Sequence, residues 1–264
     1  MERSENRFLP RLARKGADLV VTLALWGYFT IGFVVCFSPF YLTAYLFSGD
    51  RETSFQQLNN RFYRGFFFLV RRLIPRHKWR IGPDVHRIRS CVIVCNHVSY
   101  LDPIVLISLF PRHKTIAKGS LFGIPLFGAM LRLSGYIPSS AGGRLEELMI
   151  HHLETMNDFL AAGGNLFVFP EGTRSREGDI GRFNKGAFKI ARLCKAPIKV
   201  LAIRNTDALF RPGTFLFDTF VPNTITLELV ETMEPDYENK AFSISELMEQ
   251  AHRLLSTQAP RLPS

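Results

Sequence analysis

Asn96-His97-Val98-Ser99-Tyr100-Leu101-Asp102-Pro103 follows a short apolar run and sets a carboxylate five residues beyond an imidazole. Just past a strand end and just before an apolar helix, the two can hydrogen-bond, so that the aspartate orients the ring as a general base. Taken alone, the same spacing also describes a structural histidine and a helix-capping aspartate. A second block reads Phe169-Pro170-Glu171-Gly172-Thr173-Arg174-Ser175. It offers a Pro-x-Gly turn with approachable backbone amides, two hydroxyls and a planar guanidinium fork suited to phosphate oxygens. By itself that too is an ordinary charged surface turn.

Together the two blocks are far more specific. An Asn-His-x-x-x-x-Asp block followed by FPEGTRS at a later strand end resembles the glycerolipid acyltransferase family, which includes the 1-acylglycerol-3-phosphate (lysophosphatidate) acyltransferases. The likeness extends from about residue 96 to residue 203. Between the blocks, AKGSL at 117–121 and IPLFG at 124–128 are similar to the family's lysine-containing segment. After them, RFNKGAF at 182–188 and Pro197 with its following strand continue it.

The resemblance implies roles. His97 would be the base and Asp102 its orienting partner. The base removes the proton of a lipid hydroxyl as that oxygen attacks a thioester carbonyl, then protonates the leaving thiolate, with no acyl group bound to the enzyme. Glu171, Gly172, Thr173 and Arg174 would bind the acceptor, with Arg174 on its phosphate and Lys118 as a second cation. No resident cofactor or metal is implied; the co-substrate is an acyl thioester of acyl carrier protein or coenzyme A. One block departs from the family. Where a Gly-x-x-Phe-Ile-x-Arg-like stretch is usual, residues 135–144 read GYIPSSAGGR, with Ala141 at the arginine's place. Either Arg144 reaches back from the start of its helix, or the acceptor carries a head group other than glycerol phosphate.

These residues need a scaffold. Residues 91–95 (CVIVC), 165–169 (NLFVF) and 198–203 (IKVLAI) read as buried strands, while Leu145, Leu148, Met149, Leu153, Met156 and Leu160 recur at helical spacing. Further strands are expected at 214–221 and 224–229, and a last helix at 243–255. The pattern predicts an α/β domain, a mostly parallel sheet covered by helices, whose sites gather at the carboxyl ends of strands. Residues 83–264 are assigned to this domain and residues 1–82 to a basic amino-terminal membrane anchor with an interfacial helix.

Net charge is +10, and its distribution matters more than its size. Residues 1–90 carry fifteen Lys/Arg against six Asp/Glu, and residues 91–264 carry eighteen against seventeen. The excess thus surrounds the 31 uncharged residues 19–49, which points to an anionic membrane surface before nucleic acid. As one helix that run measures about 46 Å against a hydrocarbon core of roughly 30 Å. Ser38-Pro39 is expected to split it, because proline removes a helix donor, leaving residues 19–38 as a membrane helix and 40–47 as a returning arm. Arginines on both flanks favour a re-entrant anchor with both ends cytoplasmic; a single span and a buried core helix stay open. Residues 61–74 (RFYRGFFFLVRRLI) put Phe62, Phe66, Leu69, Val70 and Leu73 on one face, as in an interfacial helix or a core helix.

With 47% hydrophobic residues and four cysteines the chain is neither disordered nor a disulfide scaffold, and the cysteines suit a reducing compartment. It has no G-x-S-x-G, G-x-G-x-x-G, Walker A or H-E-x-x-H match, which removes the support for a serine hydrolase, a dinucleotide enzyme, a nucleoside triphosphatase or a zinc protease. The leading expectation is a membrane-anchored O-acyltransferase, acting on the cytoplasmic face on a lysophospholipid. The alternatives are the same chemistry on another lyso-lipid, such as an amino-acid lipid, and a non-catalytic protein that binds anionic lipid or nucleic acid. Nucleic acid is disfavoured, since residues 91–264 are nearly neutral.

Overall fold

The computed structural model describes residues 5–139, 144–174, 180–210 and 213–258, with the backbone alone for residues 5–12 and Arg144. One continuous helix opens it: α1 (Glu5–Gly27), a π-helical stretch Tyr28–Phe37, and α2 (Ser38–Phe47). The break expected at Ser38-Pro39 does not occur. The wide turns before it already pair Ser38 N–H with the Phe33 carbonyl, five residues back, so a residue without an N–H passes within the helix. The chain reverses instead at residues 48–50. There the Asp50 carboxylate accepts from Thr53 N at 2.9 Å and caps α3 (Arg51–Leu73).

Over Ala13–Phe47 the first helix is long and apolar enough to cross a membrane, and only 11% of its most apolar window is buried. Leu19, Val20, Leu23, Ile31, Val34, Val35 and Phe40 face outward. α3 behaves differently. Phe66 and Val70, on the face expected from spacing, are buried with Phe67 in the main core, and Phe62 is buried against the Tyr28 ring; Leu73, expected on that face, is exposed, as is Phe68. This face rests on α4 (Asp102–Leu109), where Asn60 Nδ2 donates to the Ile107 carbonyl at 2.8 Å.

Among the described residues the strands are β1 (His77–Ile81), β2 (Cys91–Cys95), β3 (His113–Ala117), β4 (Ile137–Pro138), β5 (Asn165–Val168), β6 (Ile198–Arg204) and β7 (Asn223–Met233). They form one sheet in the order β1-β7-β6-β2-β5-β3-β4. Its pairs are parallel except β6 with β7. The sheet is therefore mostly parallel, as its β-branched runs predict. Side chains alternate between two apolar layers. Ile93, Phe167, Leu201 and Ile203 join α3 and α4 on one face. Val92, Val94, Leu166 and Val200 meet α7 (Met156–Ala161), α8 (Gly186–Leu193) and α10 (Ile244–Gln258) on the other. Each such fully buried side chain contributes about 1.5–3 kcal/mol.

Two strands carry charge and lay outside the expectation. β1 is an edge strand beside β7, so the boundary expected at residues 82/83 falls directly after a strand of the common sheet. β3 buries Lys114, which pairs with Glu52 of α3 at 2.9 Å. Conversely, residues 214–221 form no strand among those described. Two of their backbone donors go to the first helix instead: Phe217 N to Thr22 Oγ1 at 2.9 Å and Thr219 N to Asp18 Oδ1 at 3.0 Å. The remaining helices are α5 (Phe127–Leu133), α6 (Arg144–Glu154) and α9 (Thr206–Leu209).

Candidate active site

The parallel strands β2, β5, β3 and β6 end on the same edge of the sheet and deliver His97, Glu171, Lys118 and Thr206 there. Asn96 sets the first of them. Its amide donates to the Ile203 carbonyl and accepts from Ile203 N, both at 2.8 Å, so a side chain prolongs the pairing of β2 with β6 by one rung. His97 then leaves the sheet with its ring stacked on Phe169, centroids 4.3 Å apart.

His97 Nδ1 lies 2.9 Å from Asp102 Oδ2. That oxygen also accepts from Val98 N and Ser99 N, each at 2.7 Å, while Oδ1 accepts from the Thr206 hydroxyl at 2.5 Å. Asp102 is fully buried, and besides the ring three donors, Val98 N, Ser99 N and the Thr206 hydroxyl, aim at it, so the carboxylate is an acceptor toward the ring as well. Nδ1 is therefore the protonated nitrogen of the neutral ring. Nε2 keeps its lone pair, and no described residue hydrogen-bonds it. The side chain of His97 is 16% exposed, enough for a small group to reach it.

Glu171 does not point at open space. It is buried, with Oε1 accepting from His97 N at 3.0 Å and Oε2 from Gly181 N at 2.9 Å. Burial pushes its carboxyl up from the ordinary range, and the two N–H groups oppose that shift. The residue ties the PEGTR loop to the backbone of the histidine. Gly172 adopts φ +68°, and a side chain there would sit 3.1 Å from the Asn184 amide, so glycine suits the turn. Asn184 closes the same turn by donating from N and Nδ2 to the Pro170 carbonyl at 2.8 and 3.1 Å.

Thr173 is exposed and Arg174 half-buried. The Arg174 guanidinium carbon lies 3.3 Å from the centroid of the Tyr100 ring, and its Nη1 is buried with no partner among the described residues. Lys118 is exposed at the end of β3, before a 3-10 turn over Gly119–Gly123. Arg144 opens α6, but its side chain and residues 140–143 lie outside the described residues, as does Ser175. Tyr100 also lines an apolar cavity of about 150 Å³, together with Trp26 and Phe29 of the first helix and Leu101, Ile104, Phe210 and Phe217.

The structure brings His97, Asp102, Glu171, Gly172 and Arg174 together as the two motifs require. Thr206 and Gly181 lie outside the motifs quoted from sequence. Asn96, Tyr100 and Asn184 stand inside them with no role attached. Among the described residues no group of three or more His, Cys, Asp or Glu is placed to hold a metal ion.

Residues 76–204 match the family model described as Acyltransferase. The 1-acyl-sn-glycerol-3-phosphate acyltransferase BAT2, chloroplastic, of Brassica napus is 34% identical over 125 residues, covering 47% of this chain and 36% of that protein. The human 1-acyl-sn-glycerol-3-phosphate acyltransferase beta is 28% identical over 172 residues, covering 64% of this chain and 59% of that one. The chain thus spans about a third of the length of the plant relatives it matches. In fold it is similar to the crystal structure of the 1-acyl-sn-glycerophosphate (LPA) acyltransferase PlsC from Thermotoga maritima. The two share a TM-score of 0.69 and 23% identity over 95% of this chain and 99% of that one. The stretch at residues 76–204, which carries the histidine, the aspartate and the PEGTR loop, is thus similar to the acyltransferases of glycerolipids.

Proposed function

We propose that this protein transfers a fatty acyl group from a thioester, on acyl carrier protein or coenzyme A, to the hydroxyl of a lysophospholipid. The foremost acceptor is 1-acylglycerol-3-phosphate, the substrate in the names of its relatives. The observation that carries this reading is a histidine whose Nδ1 is fixed by a fully buried aspartate and whose Nε2 is unengaged by the described residues, beside a guanidinium with an unpartnered buried nitrogen.

In the reaction Nε2 takes the proton of the acceptor hydroxyl as its oxygen attacks the thioester carbonyl. The tetrahedral adduct collapses, the carbon–sulfur bond breaks, and the imidazolium returns its proton to the departing sulfur. A positioned base of this kind accelerates such steps by about 10² to 10⁴. Asp102 holds the tautomer, and Glu171 holds the backbone of the histidine to the loop carrying Arg174. Arg174, over the Tyr100 ring, presents its fork to the acceptor phosphate, with Lys118 as a second cation on the same edge. The apolar cavity that Tyr100 lines, about 150 Å³, has room for part of an acyl chain.

The exposed apolar face of the first helix supports membrane attachment. Arg14 and Arg76 approach the same ring, Phe220, at 5.7 and 5.6 Å. The basic flanks before and after the hairpin thereby come to one end, as expected if both face the cytoplasm. The test is diacyl product formation from labelled acyl thioesters by the purified full chain and by His97→Ala, with phosphate-bearing and phosphate-free lyso-lipids. The variant should lose about 10² to 10⁴ in kcat. Equal turnover by both proteins would remove His97 as base, and equal use of phosphate-free acceptors would remove the phosphate site.

A further inference from the structure

Asn205, the first residue beyond β6, adopts φ 64°, a left-handed conformation that is uncommon outside glycine. Two bonds to the start of β7 hold it there: its amide donates to the Thr224 carbonyl, and Asn223 Nδ2 donates to its own carbonyl, both at 2.8 Å. The turn carries Thr206 to a fully buried position, where its hydroxyl reaches an aspartate 104 residues earlier in the chain. The three other donors to that aspartate all converge on Oδ2. Oδ1 has Thr206 alone among the described residues. Rotation about the Cβ–Cγ bond moves both oxygens together, so the hydroxyl on Oδ1 resists, from the other side, the twist that would carry Oδ2 out of line with the ring nitrogen it must orient.

From this arrangement we infer that Thr206 is a positioning residue for the acyl transfer. Its hydroxyl fixes the plane of the Asp102 carboxylate and, through it, the tilt of His97. The inference rests on the reading of His97 as base, and it adds a third member from the turn that follows β6. Thr206 does not touch the substrate, so its loss acts on the chemical step and leaves acceptor binding in place.

Thr206→Val keeps shape and volume and removes only the donor. Its kcat should fall about 10-fold to 100-fold, the scale of a small misplacement of a reacting group. KM for the acceptor should stay within about twofold, the pattern of a contact expressed in the transition state. Thr206→Ser should recover most of the rate. A purely structural hydroxyl would lower melting temperature without this split. The Nδ1 proton resonance of His97, recorded without substrate, gives a readout independent of turnover: it should shift or broaden in Thr206→Val and return in Thr206→Ser. Should the valine variant not fold, Thr206→Ala and Thr206→Ser carry the same comparison. A variant lacking the hydroxyl that keeps wild-type kcat and an unchanged resonance, while His97→Ala is inactive, overturns the role of Thr206 alone. Wild-type turnover by His97→Ala overturns the reading beneath it.

Discussion

Two buried polar clusters lie on this sheet, and they are built on opposite principles. At the carboxyl ends of β2 and β6, one aspartate receives four donors, two of them backbone amides. Between α3, β3 and α6, Lys114 pairs with Glu52 at 2.9 Å, approaches His152 at 3.5 Å and lies 4.7 Å from the centre of the Phe159 ring. Here the charged groups answer mainly to one another, and His152 Nε2 is left buried without a partner among the described residues. The first cluster fixes an orientation, because backbone donors cannot swing. The second fastens the helical hairpin to the sheet and tolerates movement, because Glu52 keeps a third of its surface in water.

The contrast breaks most readily at Glu171, which shares the backbone-held character of the first cluster. Glu171→Gln loses one of the two N–H acceptors along with the charge. It should lower kcat about 10-fold to 100-fold while moving the acceptor KM less than about threefold. A raised KM at full kcat would show that Glu171 touches the acceptor, as its motif suggests from sequence. In the second cluster, Lys114→Met should leave kcat unchanged and cost roughly 1–3 kcal/mol of stability in denaturant unfolding. A loss of activity at unchanged stability would join the two clusters into one site.

The smallest effect is one of pH. Burial holds both His113 and His152 down at about 4 from an ordinary 6.5, and the nearby Lys114 charge adds to it for His152. Below about 6.5 the unfolded chain takes up protons that the folded one refuses until about 4, so stability is full above that window and drains away as pH falls through it. His152→Gln should therefore flatten the dependence of unfolding free energy on pH between 7 and 5, by roughly 1 kcal/mol. An unaltered slope would assign the effect to His113 or to other groups.

What sequence could show follows the same division. β2, β5 and β6 are continuous apolar runs, and the residues just beyond them were placed at the sheet edge from the motifs alone. β3 (HKTIA) escaped notice because its buried lysine is compensated by a glutamate 62 positions earlier, a pairing that no local pattern reveals. The same holds for Thr206, whose partner opens α4, 104 residues earlier, and for residues 214–221. Their apolar and aromatic residues suggest a strand, yet two of the donors are captured by Asp18 and Thr22, about 200 residues upstream. Proline at position 39 misled for a different reason: its usual cost assumes a regular α-helical ladder, and the ladder there is already widened.

Those captured amides also tie the first helix to the stretch between α9 and β7. Asp18 and Thr22 hold Thr219 and Phe217, and Trp26 stacks parallel to Phe215. A lipid layer that took up that helix would set the height and inclination of the imidazole at the same time, like a keel that steers the whole hull.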